Sequence, residues 1–188
     1  MGVRVARGPA VAPVVAADGF DRANGALGTA DFGGSWSTAG SAFELSGGRA
    51  SRSVDTTPIG LAWPAQQALT RNVVVSAAVI FGTYVGVFAR GDGTTQNYYL
   101  ADRGVAGNDV RLVRFVAGAA TVLQSTTYVW QPGDILSLRI VESQLIAAVN
   151  GVPKLTLTDT SLAGPGLAGL RVAGSSLASW DSFQVRQL

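Results

Sequence analysis

The chain contains no cysteine and no histidine. Without cysteine it can form neither a disulfide framework nor a thiolate metal site. Without histidine it lacks the commonest general base, the commonest metal ligand and the usual switch near neutral pH. Charged residues are also scarce at 14%, and Lys154 is the only lysine beside 13 arginines. These arginines are scattered along the chain, so we expect no nucleic-acid partner.

Long apolar runs are missing as well. None approaches the roughly 18 residues of a membrane span, so no membrane partner is expected. The apolar stretch over residues 11–17 is interrupted by Pro13, which argues against a secretory signal peptide.

We interpret residues 1–17 as an N-terminal arm or tail and residues 18–188 as one domain. Two interpretations of the first segment stay open: a frayed tail, or an extended arm that docks on a neighbouring subunit. If the segment is an assembly arm, deletion of residues 1–17 should leave the domain folded and remove its attachment to the particle.

The residues that are abundant point to β-structure. Apolar residues make up 47% of the chain, and 24 glycines and 7 prolines punctuate it. No stretch of ten residues keeps the apolar spacing of an amphipathic helix. Residues 135–141, 145–149 and 152–158 predict a three-stranded meander, with Leu136, Leu138 and Ile140 on its buried side and Asn150-Gly151 as a two-residue hairpin turn. The fold class predicted is all-β, an antiparallel two-sheet β-sandwich or jelly roll with an extended N-terminal arm.

One predicted hairpin could present a binding face. Residues 84–90 and 97–102 flank a short loop, and pairing Arg90 with Asn97 would place alternate residues on the core side. Those core residues are Val85, Val87, Ala89, Tyr98 and Leu100. The opposite side then carries the candidate glycan or partner face, namely Tyr84, Phe88, Arg90, Asn97, Tyr99 and Arg103. Rings that cover apolar C–H groups, together with amide and guanidinium donors, suit sugar hydroxyls or a protein partner. The alternative is an outer sheet face covered by another strand or loop.

Several short motifs occur in a fixed order along the chain. They are Asp21-Arg22-Ala23-Asn24-Gly25, Trp36, Gly86-Val87-Phe88-Ala89-Arg90, Asn97-Tyr98-Tyr99, residues 136–140, Val149-Asn150-Gly151, Gly169-Leu170-Arg171 and Trp180-Asp181-Ser182-Phe183. In this order they resemble the concanavalin A-like (LamG-type) jelly-roll domains of bacterial and phage proteins, over residues 18–185. The resemblance implies two antiparallel sheets, one of them concave. It also implies roles that range from glycan binding and glycoside hydrolysis to structural adhesion.

The sequence offers no catalytic set. Retaining glycosidases use two carboxylates about 5 to 5.5 Å apart. The only glutamates are Glu44 and Glu142, and no two acidic residues lie within two positions of each other. We therefore predict that the protein is not an enzyme and needs no cofactor.

A metal site is not predicted either. Family members that bind Ca²⁺ use Asp and Asn oxygens, and four residues at loops or strand ends carry such groups: Asp92, Asp102, Asn108 and Asp109. They lack the spacing of an EF-hand, and ordinary turn formation by Asp and Asn accounts for them. No metal ligand is assigned.

Two functions stay open. The first is a structural virion component of a phage, a capsid decoration or minor tail protein at the virion surface, that contacts other virion proteins through the arm. The second is a carbohydrate-binding module of a secreted or cell-surface protein, with an extracellular location. Host-surface glycans are partners that both can share, and assembly into homo-oligomers is left open. Neither hypothesis follows from the fold alone.

Overall fold

A computed structural model describes residues 12–40, 43–52, 59–67, 69–174 and 177–188. Within these ranges the chain forms sixteen β-strands and no helix, and every strand pairing is antiparallel. The strands belong to two sheets that pack face to face. The all-β, two-sheet prediction is confirmed.

Sheet 1 has nine strands. They are β1 (Val14–Asp18), β2 (Gly25–Ala26), β4 (Glu44–Leu45), β5 (Ala50–Arg52), β7 (Val73–Phe81), β12 (Asp134–Val141), β13 (Gln144–Val149), β14 (Val152–Thr158) and β16 (Ala178–Gln187). Their spatial order is β14-β13-β12-β7-β16-β5-β4-β2, and β1 also pairs with β16. Strands that are far apart in sequence therefore lie side by side at the centre of this sheet.

Sheet 2 has seven strands. They are β3 (Trp36–Gly40), β6 (Ile59–Pro64), β8 (Val85–Gly91), β9 (Tyr98–Arg103), β10 (Asp109–Val116), β11 (Ala119–Thr127) and β15 (Leu167–Ala173). Their order is β11-β10-β9-β8-β15-β6-β3. Three sequential hairpin strands, β8 to β10, thus lie next to β15, which comes from the other end of the chain.

The predicted meander is confirmed. Strands β12, β13 and β14 pair in sequence, and Val149 lies opposite Val152 across the turn. Asn150 and Gly151 both have positive φ, 52° and 76°, as a type I′ turn requires. Leu136, Leu138 and Ile140 are fully buried against sheet 2. Each such side chain stabilises the fold by about 1.5 to 3 kcal/mol through burial.

The boundary of the N-terminal arm differs from the prediction. Strand β1 begins at Val14 and pairs with residues 183–186 of β16, and Ala16 is fully buried. Pro13 precedes the first residue of β1, so its missing amide hydrogen does not interrupt the pairing of β1 with β16. Residues 14–17 therefore belong to the sandwich, and the carbonyls of Ala12 and Pro13 accept hydrogen bonds from Arg186 and Gln187. Residues 1–11 of the predicted arm lie outside the described residues.

The predicted register of the β8–β9 hairpin is wrong by one residue. Phe88 lies opposite Leu100 and Ala89 opposite Tyr99, whereas the prediction paired Arg90 with Asn97. Arg90 adopts a left-handed φ of 55°, which bends the strand end. Because side chains alternate between faces, this slip exchanges the two sides of β9.

The exchange changes which residues form the core. Tyr99 and Ala101 face sheet 1 together with Val85, Val87 and Ala89. Tyr98 and Leu100, which were expected in the core, instead lie with Phe88 on the outer face of sheet 2, the face directed away from sheet 1. That face carries a second apolar cluster, here called the outer cluster: Leu61, Trp63, Phe88, Tyr98, Leu100, Val113 and Phe115.

Candidate functional site: a charged cavity on the outer face of sheet 2

The six residues of the predicted binding face do not meet at one site. Phe88 is buried in the outer cluster, between Trp63 and Tyr98. Asn97 donates to Asp92 and so closes the loop between β8 and β9. Arg103 donates to the carbonyl of Gly107 at the end of β9.

Arg90 and Tyr99 hold a loop rather than a ligand. The guanidinium of Arg90 is buried and donates to the carbonyl oxygens of Leu162, Arg71 and Glu142. The Tyr99 hydroxyl donates to Asp159 Oδ1 over 2.5 Å and accepts from the Leu162 amide over 3.0 Å. Both side chains thereby fix the segment that follows β14.

Tyr84 is the one predicted residue that lines a cavity on the outer face. This cavity, here called the outer cavity, has a volume of about 210 Å³. It lies over β8, β9, β10, β11 and β15, and its lining residues are Tyr84, Leu100, Asp102, Arg111, Val113, Phe115, Ala120, Val122 and Arg171. Val122 is half exposed and marks the mouth, whereas Leu100 and Asp102 are fully buried and form the base.

Strand register brings the charged groups of the outer cavity into one row. Asp102 lies opposite Arg111 on one side and opposite Gly86 on the other. Gly86 in turn lies opposite Arg171 of β15. A Cβ atom at Gly86 would lie 2.7 Å from the Asp102 Cβ, closer than real side-chain contacts allow. The glycine therefore leaves the space across which Arg171 reaches Asp102.

The row is held together by ion pairs. Arg111 forms a bidentate ion pair with Asp102: Nε donates to Oδ1 at 2.9 Å, and Nη2 donates to Oδ2 at 2.6 Å. Nη1 of Arg171 lies 3.7 Å from the same Oδ2 and donates to the carbonyl of Tyr84 at 3.3 Å. The planar fork of arginine matches a carboxylate in this way, which fixes both groups in place.

Aromatic rings complete the outer cavity. The Arg111 guanidinium lies over the Tyr84 ring at 5.2 Å, and that of Arg171 lies over the Phe115 ring at 5.3 Å. Phe115 stacks on Tyr98 with 4.4 Å between the ring centroids. Cation–π contacts of this kind add to the ion pairs in holding each guanidinium in place.

Burial perturbs the titratable groups of the row. It raises the pKa of the Asp102 carboxyl, while the hydrogen bonds and the charge of Arg111 act in the opposite direction. The hydrogen bond to Asp102 raises the pKa of Arg111. Burial also raises the pKa of the Tyr98 hydroxyl, which lies beside the outer cavity. Groups whose pKa values are shifted by burial together with specific charged partners are enriched at functional sites.

Sequence reasoning missed Arg111 and Arg171 and considered Asp102 only as a calcium ligand. Arg171 is separated from Asp102 by 69 positions, so no local spacing could have joined them. The available signal was Gly86, a glycine inside the run of residues 84–90 that predicts a strand. Small residues inside strands often mark the close approach of another group.

No cation site emerges from the acidic residues that the structure describes. Asp92 accepts from Thr94 and Asn97 within its own loop, and Asp102 is engaged by arginines. Within the described ranges, no group of three or more potential metal ligands comes together. Nor is any helix of the described ranges long and apolar enough to cross a membrane.

Comparison with protein-family models and with curated protein sequences gave no match. Among solved structures, the carbohydrate-binding module CBM66 from Bacillus subtilis is similar, with a TM-score of 0.65 and 14% identity over 80% of this chain and 94% of that chain. The exoplasmic/lumenal domain of VIP36 in its Ca²⁺/Man3GlcNAc-bound form has a TM-score of 0.59 and 14% identity over 81% of this chain and 84% of that one.

A third similar structure is an enzyme. SCLam, a non-specific endo-beta-1,3(4)-glucanase from family GH16, has a TM-score of 0.61 and 11% identity over 95% of this chain and 93% of that chain. At such identities the likeness concerns the fold and not the site. The two antiparallel sheets and these structural neighbours show that the chain adopts the concanavalin A-like jelly-roll fold.

Proposed function

We propose that this protein is a non-catalytic glycan-binding protein and that the outer cavity is its sugar site. One observation carries the proposal: a cavity on a sheet face combines a fixed carboxylate, two fixed guanidinium groups and aromatic rings in about 210 Å³. Apolar walls with a few precisely held polar groups are the common make-up of small-molecule sites.

The chemistry of the outer cavity matches that of a sugar. Each hydroxyl of a sugar both donates and accepts, so it needs acceptors and donors together. Arg111 and Arg171 supply donors, and the hydroxyl of Tyr84, a residue that lines the cavity, can both donate and accept. The half-buried Tyr84 offers a ring surface for the apolar C–H groups of a pyranose, whereas the Phe115 ring is already covered by Tyr98 and Arg171.

The size of the outer cavity limits what it holds. Sites for drug-sized ligands occupy roughly 300–1,000 Å³, and the outer cavity, with about 210 Å³, is smaller. One sugar ring fits such a volume, with further residues of a chain outside it. Among proteins of similar fold, CBM66 is a carbohydrate-binding module and VIP36 has a mannose-containing ligand, which supports this use of the fold.

The side chains of the outer cavity do not favour hydrolysis, although a glucanase shares the fold. Asp102 is fully buried and engaged by Arg111 in both oxygens, so it is poorly placed to attack a sugar or to carry a proton. Glu44 and Glu142 lie in sheet 1 and at the turn between β12 and β13, and neither lines the outer cavity. We therefore propose that binding is not followed by bond cleavage.

Binding can be tested on an array of neutral and acidic glycans, followed by calorimetry with the best ligand. Tyr84→Ala should weaken binding by about tenfold, because ring contacts with a ligand contribute about 1 kcal/mol or more. Phe32→Ala, which removes an aromatic ring that is 56% exposed and does not line the outer cavity, is the matched control and should leave binding unchanged. Absence of binding to any glycan would contradict the proposal.

Catalysis needs a separate assay. The release of reducing sugar from β-glucans and acidic polysaccharides should equal the buffer blank. Release above it that Asp102→Asn, Glu44→Gln or Glu142→Gln abolishes would overturn the non-catalytic assignment.

A place in a virion stays a prediction that the family resemblance alone supports, and so does an extracellular location. Neighbouring genes discriminate between the two, because capsid and tail genes favour the first and a hydrolase operon favours the second. A virion-surface protein that holds host glycans is compatible with the proposed site.

A further inference from the structure

Two guanidinium groups share one carboxylate at the base of the outer cavity. Asp102 is fully buried and accepts two short hydrogen bonds from Arg111. Arg171 is 4% exposed, and its nearest carboxylate oxygen is that same Asp102 Oδ2, at 3.7 Å. Buried charges in proteins are usually paired one to one, because an uncompensated charge is costly away from water. Arg171 is therefore a buried cation without a carboxylate of its own.

Neighbouring charges give Arg171 no carboxylate of its own. Asp109, on the same face of β10, adds negative charge near Arg111. Among the described residues, however, no ion pair joins Asp109 to Arg171. Only Arg111, Arg171 and Asp102 line the outer cavity itself, and they leave one positive charge there.

Hydrogen-bonding capacity is also left over. Among the described residues, Nε of Arg171 has no partner in hydrogen-bond geometry. Its guanidinium is buried over the Phe115 ring and lies close enough to the Tyr98 hydroxyl to oppose the rise that burial causes in the pKa of Tyr98. The contacts of Arg111 use Nε and Nη2, and those of Arg171 use Nη1. With five N–H donors in each guanidinium, both side chains keep donors for a ligand. Unused donors beside an excess positive charge define a site for an anion.

We propose that the ligand of the outer cavity is an acidic sugar, a uronic acid or a related sugar carboxylate, whose carboxylate supplies the missing counter-charge to Arg171. This inference rests on the proposed glycan-binding function and narrows it to a chemical class. The sugar ring lies against Tyr84 and the apolar wall at Val122, and its carboxylate is directed towards the two arginines. A neutral sugar with the same hydroxyl pattern fills the same space but leaves Arg171 uncompensated.

Calorimetry on the wild-type protein tests this directly with matched pairs of sugars: glucuronate against glucose, and galacturonate against galactose, each also as short oligosaccharides. At least one acidic member should bind about tenfold or more tightly than its neutral partner at low salt, because charged hydrogen bonds are about twice as strong as neutral ones. This advantage should shrink in 0.5 M salt, where the Debye length falls to about 4 Å.

Each outcome has a defined meaning. If neutral and acidic partners bind equally, the acidic-sugar inference is wrong and the glycan-binding function stands. If no sugar binds, both are wrong. If acetate binds as tightly as the uronates, the site recognises a simple carboxylate and the sugar assignment is wrong.

Two variants locate the effect in the outer cavity. Arg171→Gln should reduce uronate affinity by about ten- to a hundredfold, since hydrogen bonds to charged groups are individually strong, while the affinity for the neutral partner changes little. Arg139→Gln removes the same charge from an exposed position on the outer face of sheet 1 and should leave the preference intact. Where Arg171→Gln fails to fold, Val122→Trp at the half-exposed mouth should abolish binding of both sugars without altering the charges. Retention of uronate binding in Val122→Trp would overturn the assignment to this cavity.

Discussion

A single glycine decides whether the charged row of the outer cavity can form. Gly86 lies between Asp102 and Arg171 on adjacent strands, and a methyl group there would approach the Asp102 Cβ to 2.7 Å. The neighbouring atoms belong to a central strand of the sheet and to a buried side chain, so they yield only with strain. This position thus couples the stability of sheet 2 to the shape of the site.

Gly86→Ala should therefore lower the free energy of unfolding by about 1 to 3 kcal/mol, the usual cost of overpacking. Sugar binding should weaken at the same time, because the row of ion pairs is displaced. Urea denaturation followed by tryptophan fluorescence measures the first effect. Gly164→Ala is the control, since a Cβ there meets no atom within 4 Å, and it should change stability by less than about 0.5 kcal/mol.

Ionisation of the Tyr99 hydroxyl lowers the stability of the folded protein at high pH. Burial, followed by the hydrogen bond to Asp159, raises the pKa of its hydroxyl to about 12 from an ordinary 10.0. The folded state thus favours the neutral phenol. The stabilisation is complete below pH 10, and it is lost as the pH rises through about 12.

In urea denaturation between pH 9 and pH 12, wild-type stability should fall, and Tyr99→Phe should show a shallower fall. The variant should also be less stable at pH 7 by about 1 to 2 kcal/mol, because the hydroxyl partners of Asp159 and Leu162 are lost. A residual slope is expected from Tyr98, whose pKa burial also raises. Equal slopes in the two proteins would contradict this role of Tyr99.

Among the strands, local sequence signals predicted the pairing correctly where a tight turn joins two consecutive strands. The meander was predictable because Asn150-Gly151 dictates a turn whose geometry fixes the register on both sides. The β8–β9 hairpin was not, because its loop of six residues lacks such a turn and Arg90 enters a left-handed conformation. The single residue of slip moved Tyr98 and Tyr99 to opposite faces.

Hydrogen bonds of the Asn150 side chain also stabilise the Asn150-Gly151 turn. Asn150 accepts from the Ile135 amide at 2.9 Å and donates to Asp134 at 2.7 Å. Asn150→Ala should cost about 2 to 3 kcal/mol, since it loses both bonds and a residue that tolerates positive φ. Gly151→Ala, at φ 76°, loses only the conformational freedom and should cost about 1 kcal/mol.

Chemical denaturation of both variants at pH 7 measures the difference. Equal losses for the two would show that the side-chain bonds of Asn150 contribute nothing measurable. Thr156→Ala, an exposed position on the neighbouring strand β14, serves as the control for substitutions in this hairpin.

For the molecule as a whole, the fold class followed from composition and turn spacing, whereas the site did not. The outer cavity joins β8, β9, β10, β11 and β15, and the last of these returns from residues 167–173 to pair with β8. Such pairing of distant strands depends on how the whole sandwich closes and leaves no trace in local spacing. Of the predicted face, only Tyr84 lines the outer cavity.

The pairing of β1 with β16 determines how many N-terminal residues can be removed without loss of stability. Deletion of residues 1–11 should leave stability nearly unchanged, because all strands of the described structure begin later. Deletion of residues 1–17 should destabilise the protein, because it removes most of β1, including the fully buried Ala16. Thermal melts of the two truncated proteins decide the matter, and equal melting temperatures would contradict the place of β1 in sheet 1.

Sugar binding in the outer cavity is tested most directly by an NMR titration of the isotope-labelled protein with the best glycan from the array. The largest chemical-shift changes should fall on Tyr84, Asp102, Val122 and the Nε–H signal of Arg171, which surround one cavity although they are distant in sequence. Binding that perturbs a different surface, such as the outer face of sheet 1, and leaves these four signals unchanged would contradict sugar binding in the outer cavity.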